Sequence, residues 1–437
     1  MINAPQLTSL AFSGIVLLLT VFDKRRLNTV LTPFSLSAWP LVVIILTVNF
    51  LLGGLEFKSV TVRAQLFLLS NILVIWLIGF IFLINNGIEV RKNIKDVFQP
   101  YARYQNILII LSWIVNIAVY LRVRSLLSSH GGFGYLGDPE FEKLITSGPV
   151  AHMAQFGKVT FILLSFILPS ATKKKLIYIT LSGLIVSFLA LQVKYNLITV
   201  LVIIFIYHNY SLPVKTQIKN IIMFSLVVVL LMGLSLVLLT VFWGTFFASK
   251  TSVWLFLLRN MLSYLFSAPI VLDEWLNYPS IQPGWSLLIV FRNILNLING
   301  NPIIYNPLNY VDLDFSEVAP KVNSNVGTSW GAYFIIGGWF FSLFMSCLVS
   351  IISYFFYFRS RKKYTSSNIF FNIIFLSLAT LSFFGQYFTL ISYYEMCAYF
   401  GIIIICFNLF NNLYEKYDIP DSRQLLNKSN NKPISGM

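Results

Sequence analysis

Apolar residues run through this chain in long uninterrupted stretches, without the strict alternation of a half-buried strand or the single apolar stripe of a surface helix. Stretches of about 17–25 apolar residues have the length an α-helix needs to cross a hydrocarbon core of about 30 Å. About eleven of them predict spans near 7–22, 36–54, 66–84, 106–121, 155–170, 176–192, 196–210, 220–243, 329–357, 369–388 and 393–412. Several are short, so they are expected to pack within a bundle. Two further stretches, 253–272 and 285–298, each carry an arginine near the middle, Arg259 and Arg292, and prolines at Pro269, Pro279 and Pro283 interrupt the region. An arginine at the bilayer centre is costly, so both predict half-helices that lie at the interface or against the bundle. The expected fold is an all-α polytopic membrane protein with about 11 spans (range about 10–13). One transmembrane domain covers 1–412, with a large external loop at 245–326, a second at 122–155 and a polar tail at 413–437.

Composition supports this reading. The chain is 57% hydrophobic and 11% charged, against about 25% charge in soluble domains, whose surfaces must be solvated. The net charge of +15 is distributed by loop. With Lys24, Arg25 and Arg26 placed in the cytoplasm, alternate loops put 20 of the 31 Lys+Arg and 6 of the 16 acids on that side. That bias follows the positive-inside rule, so the charge reads as topology, and no basic patch stands apart from membrane flanks to suggest a nucleic-acid partner. The loops at 122–155 and 245–326 then face the periplasm, and the tail the cytoplasm. The first ten residues carry no Lys or Arg, so no cleavable signal peptide is expected. Cys347, Cys397 and Cys406 all fall in spans without a CxxC pair. No Walker-type loop and no His/Cys/Asp cluster with ligand spacing stands in the sequence, and neither a metal nor a cofactor is expected.

Several short motifs fall in a telling order. Asn325-Val326-Gly327-Thr328, then Tyr333 and Gly337-Gly338, open a late span. Earlier, Arg122-x-Arg124 leads into a Gly-rich external loop, Lys194-Tyr195-Asn196 opens a short span, and Tyr264 to Pro269 precede Asp273-Glu274. The set resembles Wzy-type polysaccharide polymerases, the bacterial O-antigen and capsule repeat-unit polymerases, over most of the chain. An acidic residue often precedes the family's late glycine, and here that place is Ile336, so no catalytic charge is expected there.

The resemblance implies a membrane glycosyltransferase with a GT-C-like architecture in the bacterial inner membrane, active at the periplasmic face. It would transfer a growing glycan from undecaprenyl pyrophosphate to the non-reducing end of a new lipid-linked repeat unit. A chain-length regulator and a flippase of the same pathway would be partners. The chemistry picks residue types: a pyrophosphate leaving group gathers negative charge, which guanidinium groups stabilise bidentately. Arg122, Arg124, Lys194, Arg259 and Arg292 are the expected pyrophosphate ligands. Asp273 and Glu274 are the expected catalytic carboxylates, with Asp138, Asp312 and His152 as further candidate bases. Tyr264, Asn325, Thr328 and Tyr333 are expected at the glycan, and Trp275, Tyr278, Trp285, Tyr305 and Tyr310 are aromatics that sugar stacking or interfacial anchoring explains equally well. Arg122 and Arg124 could instead snorkel to headgroups, and Arg259 or Arg292 could form an internal pair with Asp273 or Glu274. Arg63 is expected far from the site. An O-antigen ligase would use the same donor, and a lipid-linked oligosaccharide flippase would share the polytopic, basic character but is expected to show internal repeats, which this sequence lacks.

Overall fold

A computed structural model describes residues 2–86, 95–129, 132, 141, 144–145, 148–191, 194–242, 250–277, 282, 284–304, 316–385 and 390–416. In chain order the helices are α1 (Ala4–Leu27), α2 (Pro33–Phe50), α3 (Val62–Asn86), α4 (Gln105–Ser129), α5 (Pro149–Ile167), α6 (Lys174–Ala190), α7 (Lys194–Asn209) and α8 (Val214–Phe242). There follow α9 (Lys250–Phe266), α10 (Ala268–Asn277) and α11 (Ile289–Ile298), then a hairpin of β1 (Ser316–Ala319) and β2 (Val322–Ser324). The chain closes with α12 (Ser329–Lys362), α13 (Ser366–Leu381) and α14 (Ile391–Lys416).

Among the described residues seven helices, α1 to α5, α12 and α14, are long and apolar enough to cross a bilayer. The protein is a polytopic, predominantly helical membrane protein. The remaining expected spans coincide with α6, α7, α8 and α13, of which α6, α7 and α13 are 17, 16 and 16 residues long. At helical rise these three reach only about 24–26 Å, so they depend on their neighbours.

Local chemistry sets the helix ends. Asn3 and Gln6 close a reciprocal capping box at the start of α1, and Lys24, Arg25 and Arg26 complement the dipole of its last turn. Thr32 and Thr365 cap α2 and α13 through their hydroxyls. Lipid offers no hydrogen bonds, so polar side chains inside the bundle must find one another. Near the 51–61 turn, Asn49 donates to Ser9 (2.9 Å) and to the Val60 carbonyl, and Gln65 donates to the carbonyls of Pro5 and Val60, pinning α1, α2 and α3 together. At the opposite end, Gln217 accepts from Thr29 and the Val30 amide, and Tyr101 donates to Asn408 at 2.9 Å. We call the first the loop end and the second, which carries Lys24–Arg26 and Arg359–Lys363, the basic end.

The expected single span at 329–357 is corrected. Gly337 (φ −151°, ψ 19°) and Gly338 (φ 75°, ψ −168°) break α12. Ser342 donates to the Trp330 carbonyl at 3.2 Å, although twelve residues of continuous helix would separate them by about 18 Å. Residues 329–336 therefore form a half-helix folded back on the start of 339–362. Phe67 of α3 clamps the fold by meeting Phe334 and Trp339 edge-on at 5.6 and 5.2 Å. The Gln282 amide donates to the Ile335 carbonyl at 2.7 Å, satisfying an orphan group at the half-helix end. At its start, Thr328 accepts from the Gly331 amide, the Ser329 amide donates to the Ser382 carbonyl, and the Ser329 hydroxyl donates to the Gly385 carbonyl. A cavity of about 50 Å³ lies between this half-helix, α2, α12 and α13, lined by Ser37, Ser329, Tyr333, Ser346, Ser350 and Ser382 among others.

Gly338 occupies backbone space that is essentially closed to side chains, where strain costs about 1–3 kcal/mol. Gly338→Ala is expected to lower the thermal unfolding midpoint in detergent. Gly401→Ala, at a position with open space around the added Cβ and no positive φ, is expected to hold or raise it.

Candidate functional site

At the loop end the large loop folds back onto the turn between α2 and α3. The Lys58 amide donates to the Val318 carbonyl at 2.9 Å, joining that turn to the β-hairpin. Thr61 then donates to Asp273 at 2.5 Å, and Arg63 donates to Asn277 at 3.0 Å, so α10 is held along the first turn of α3. Arg259 of α9 reaches the same turn from another side: Nε donates to the Leu55 carbonyl at 3.2 Å and Nη2 to Glu56 at 2.5 Å. Glu56 sits in the left-handed region at φ 60°.

The Asp273 carboxyl is half-buried, and its acidity reflects four influences. Burial raises its pKa above the ordinary carboxylate range, the Thr61 bond opposes the rise, adjacent Glu274 adds to it, and Arg63 lowers it. A carboxylate poised this way, next to a guanidinium at the water-facing rim, can take a proton from a hydroxyl.

The packing beneath is tight. Trp275, on the turn after Asp273, is buried against Gly327 and Gly331; a Cβ on Gly327 would lie 2.1 Å from the Trp275 ring. The Asn325–Thr328 segment therefore needs its glycine so that α10 can seat on the half-helix.

A second polar group stands at the same end, between α5 and α14. His152 Nδ1 and Glu395 Oε1 are 2.6 Å apart. Lys158, two turns along α5 from His152, is buried and within electrostatic reach of Glu395. Arg122, at the end of α4, donates to the Leu144 carbonyl at 3.0 Å.

A family model matches residues 57–416, from the α2–α3 turn to the end of α14. The chain belongs to the DUF6337 family, a family of unknown function. No curated protein and no solved structure matches it.

In this DUF6337 chain the expected site residues separate into distinct places. Asp273 and Glu274 lie together on α10, and Arg259 shares their contact with the α2–α3 turn. The expected alternative pairing of Arg259 with Asp273 or Glu274 is corrected, because its partner is Glu56. Arg63 is corrected too: far from being remote, it influences the Asp273 carboxyl directly. Arg292 stands over the Trp285 ring at 4.7 Å and has no carboxylate partner among the described residues. Arg122 and exposed Arg124 belong to the α4–α5 side, and Lys194 opens α7, its side chain outside the described set. Tyr264 is partly exposed on α9. Asn325, Thr328 and Tyr333 are buried, with Thr328 engaged as the half-helix cap and Tyr333 lining the cavity. Asp138, Asp312, Tyr278, Tyr305 and Tyr310 lie outside the described residues. No group of three metal-ligating side chains occurs among the described residues.

Sequence reasoning missed Glu56, Glu395 and Lys158. Lys158 did carry a signal, a lone lysine within an apolar run, which is expensive unless paired. Glu395 carried the same signal inside the expected span 393–412, whereas Glu56 carried none, since it meets Arg259 across more than two hundred residues.

Proposed function

We propose that this protein polymerises lipid-linked oligosaccharide repeat units at the periplasmic face of a bacterial inner membrane, for O-antigen or capsule synthesis. The observation that carries the reading is the folded-back loop, which sets the Asp273 carboxyl beside Thr61 and Arg63 with Arg259 bound to the same turn. In the reaction the acceptor hydroxyl attacks the anomeric carbon of the donor glycan. A new glycosidic C–O bond forms, the C–O bond to the diphosphate breaks, and undecaprenyl pyrophosphate leaves as the anion. Asp273 takes the hydroxyl proton, and the guanidinium groups of Arg63 and Arg259 stabilise the departing charge. Arg122, Arg124 and Lys194 belong to the α4–α5–α7 side and serve the lipid carrier before transfer.

Reconstitution with a lipid-linked repeat unit tests this. A ladder of chain lengths on undecaprenyl pyrophosphate supports it; transfer to lipid A core alone would make the protein a ligase. A transporter reading draws on one observation, the broken helix over a polar cavity, a feature of substrate sites in transporters. Translocation of the lipid-linked unit with no bond made would decide for it.

The orientation has its own check. On intact spheroplasts, a membrane-impermeant maleimide is expected to modify Ser128→Cys and to spare Lys174→Cys, both exposed positions. The reverse pattern inverts the topology and removes the active face from the periplasm.

A further inference from the structure

The segment from Gln282 to Ile304 crosses the loop end between two membrane helices. Its start is tied to α12 by the bond from the Gln282 amide to Ile335. Its middle is tied to α14 by Phe291, which meets Tyr394 edge-on at 5.2 Å. The second tie is made by α11 itself, and the two faces of that helix differ sharply. On one side Asn293 donates to the Ile304 carbonyl at 2.9 Å and accepts from the Ile304 amide at 2.8 Å, while Asn296 donates to the Pro302 carbonyl at 3.1 Å. The return segment 301–304 thus covers the polar face and leaves those backbone groups satisfied.

The opposite face touches α14 only through Phe291 among the described residues and is otherwise largely uncovered. Leu288, Phe291, Ile294, Leu295 and Ile298 recur at the three- and four-residue spacing of one helical face. All five are exposed, from 42% at Ile294 to 73% at Ile298. At the rim of this face Arg292 is held over Trp285, a cation beside an indole, the pairing that suits the boundary between headgroups and acyl chains.

We infer that α11 lies in the bilayer surface at the loop end, with its apolar face among acyl chains and Arg292 at the headgroup phosphates. Three features favour lipid over another protein. The helix is fixed at both sides to spanning helices, at their ends, so its open face continues the lipid-facing surface of the bundle. Its only charged residue is a cation at the rim, which suits phosphates. Its polar edge is already closed by its own chain, leaving no ladder of donors and acceptors for a partner to read. An amphipathic helix in such a plane buries its apolar face about 5–10 Å deep. The inference holds whichever reaction the protein performs.

Nitroxide labels test it in the full-length protein in lipid nanodiscs, with Cys347, Cys397 and Cys406 replaced by serine. Labels at Leu295→Cys and Ile298→Cys are expected to collide several times more with oxygen than with a water-soluble nickel chelate. At exposed Asn301→Cys, in the return segment, the preference is expected to reverse. Nickel preference at both helix positions would put the face in water and overturn the inference. Low access to both reagents would overturn it too, with dipolar broadening marking a second copy as the cover and its absence marking another part of this chain.

Discussion

Asp273→Asn is expected to slow glycan chain growth by about two to four orders of magnitude, the range a positioned general base contributes. Asparagine keeps the size of the side chain and still accepts from Thr61, so the seat of α10 on α3 is preserved while the proton acceptor is lost. The loss is expected in kcat, because the carboxylate acts on a hydroxyl already bound. The pH dependence follows from the same site. A base must be ionised to act, and burial raises the Asp273 pKa, so the acid limb of the rate profile lies above the ordinary carboxylate range. Thr61→Val removes a bond that favours the charged form, and Arg63→Ala removes a favourable charge. Both therefore raise the pKa further and move the acid limb to higher pH. A wild-type rate from Asp273→Asn would show that the reaction needs positioning alone, and the acid limb would then belong to another group.

The seven long apolar helices were legible because each lies in an apolar run of bilayer-crossing length, a signal that no partner has to supply. The fold-back at Gly337-Gly338 was not. Two residues of unusual backbone vanish inside an apolar run that continues on both sides, and the diagnostic contact, Ser342 to Trp330, appears only in three dimensions. The candidate carboxylates were found as residue types, with Asp273 and Glu274 placed after the Tyr264–Pro269 motif. The environment of Asp273 was not readable, because Thr61 and Arg63 come from a turn more than two hundred residues earlier. The same distance hid Glu56 from Arg259 and turned Arg63 from a bystander into a neighbour. The Asn325–Thr328 motif was legible as a motif, but its roles as cap and as bed for Trp275 depend on α10 lying across it.

Arg259→Ala is expected to reduce chain growth by about a hundred- to a thousandfold, the usual cost of removing one donor from a developing anion. The competing outcome is structural collapse, and the geometry argues against it. Arg259 is 14% exposed but Glu56, the partner, is 62% exposed, so losing the guanidinium strands no carboxylate in the interior. A buried pair with Asp273 or Glu274 would have cost about 3–5 kcal/mol to break and would have lowered the amount of protein in the membrane. Abundance should therefore stay level while long chains disappear. Glu56→Gln separates the two roles: it weakens the pair without removing the guanidinium, so long chains should persist. Arg259→Lys should remain impaired, since an ammonium keeps the charge but cannot hold the Leu55 carbonyl and an anion with one planar fork. Lys58→Ala, an exposed cation on the same turn whose contact to Val318 runs through its backbone amide, is expected to polymerise normally and controls for general loss of positive charge. Full-length ladders from Arg259→Ala at normal abundance would remove Arg259 from the leaving-group site. The charge would then have to be met by Arg63, or by Arg122 and Arg124 on the far side of the bundle.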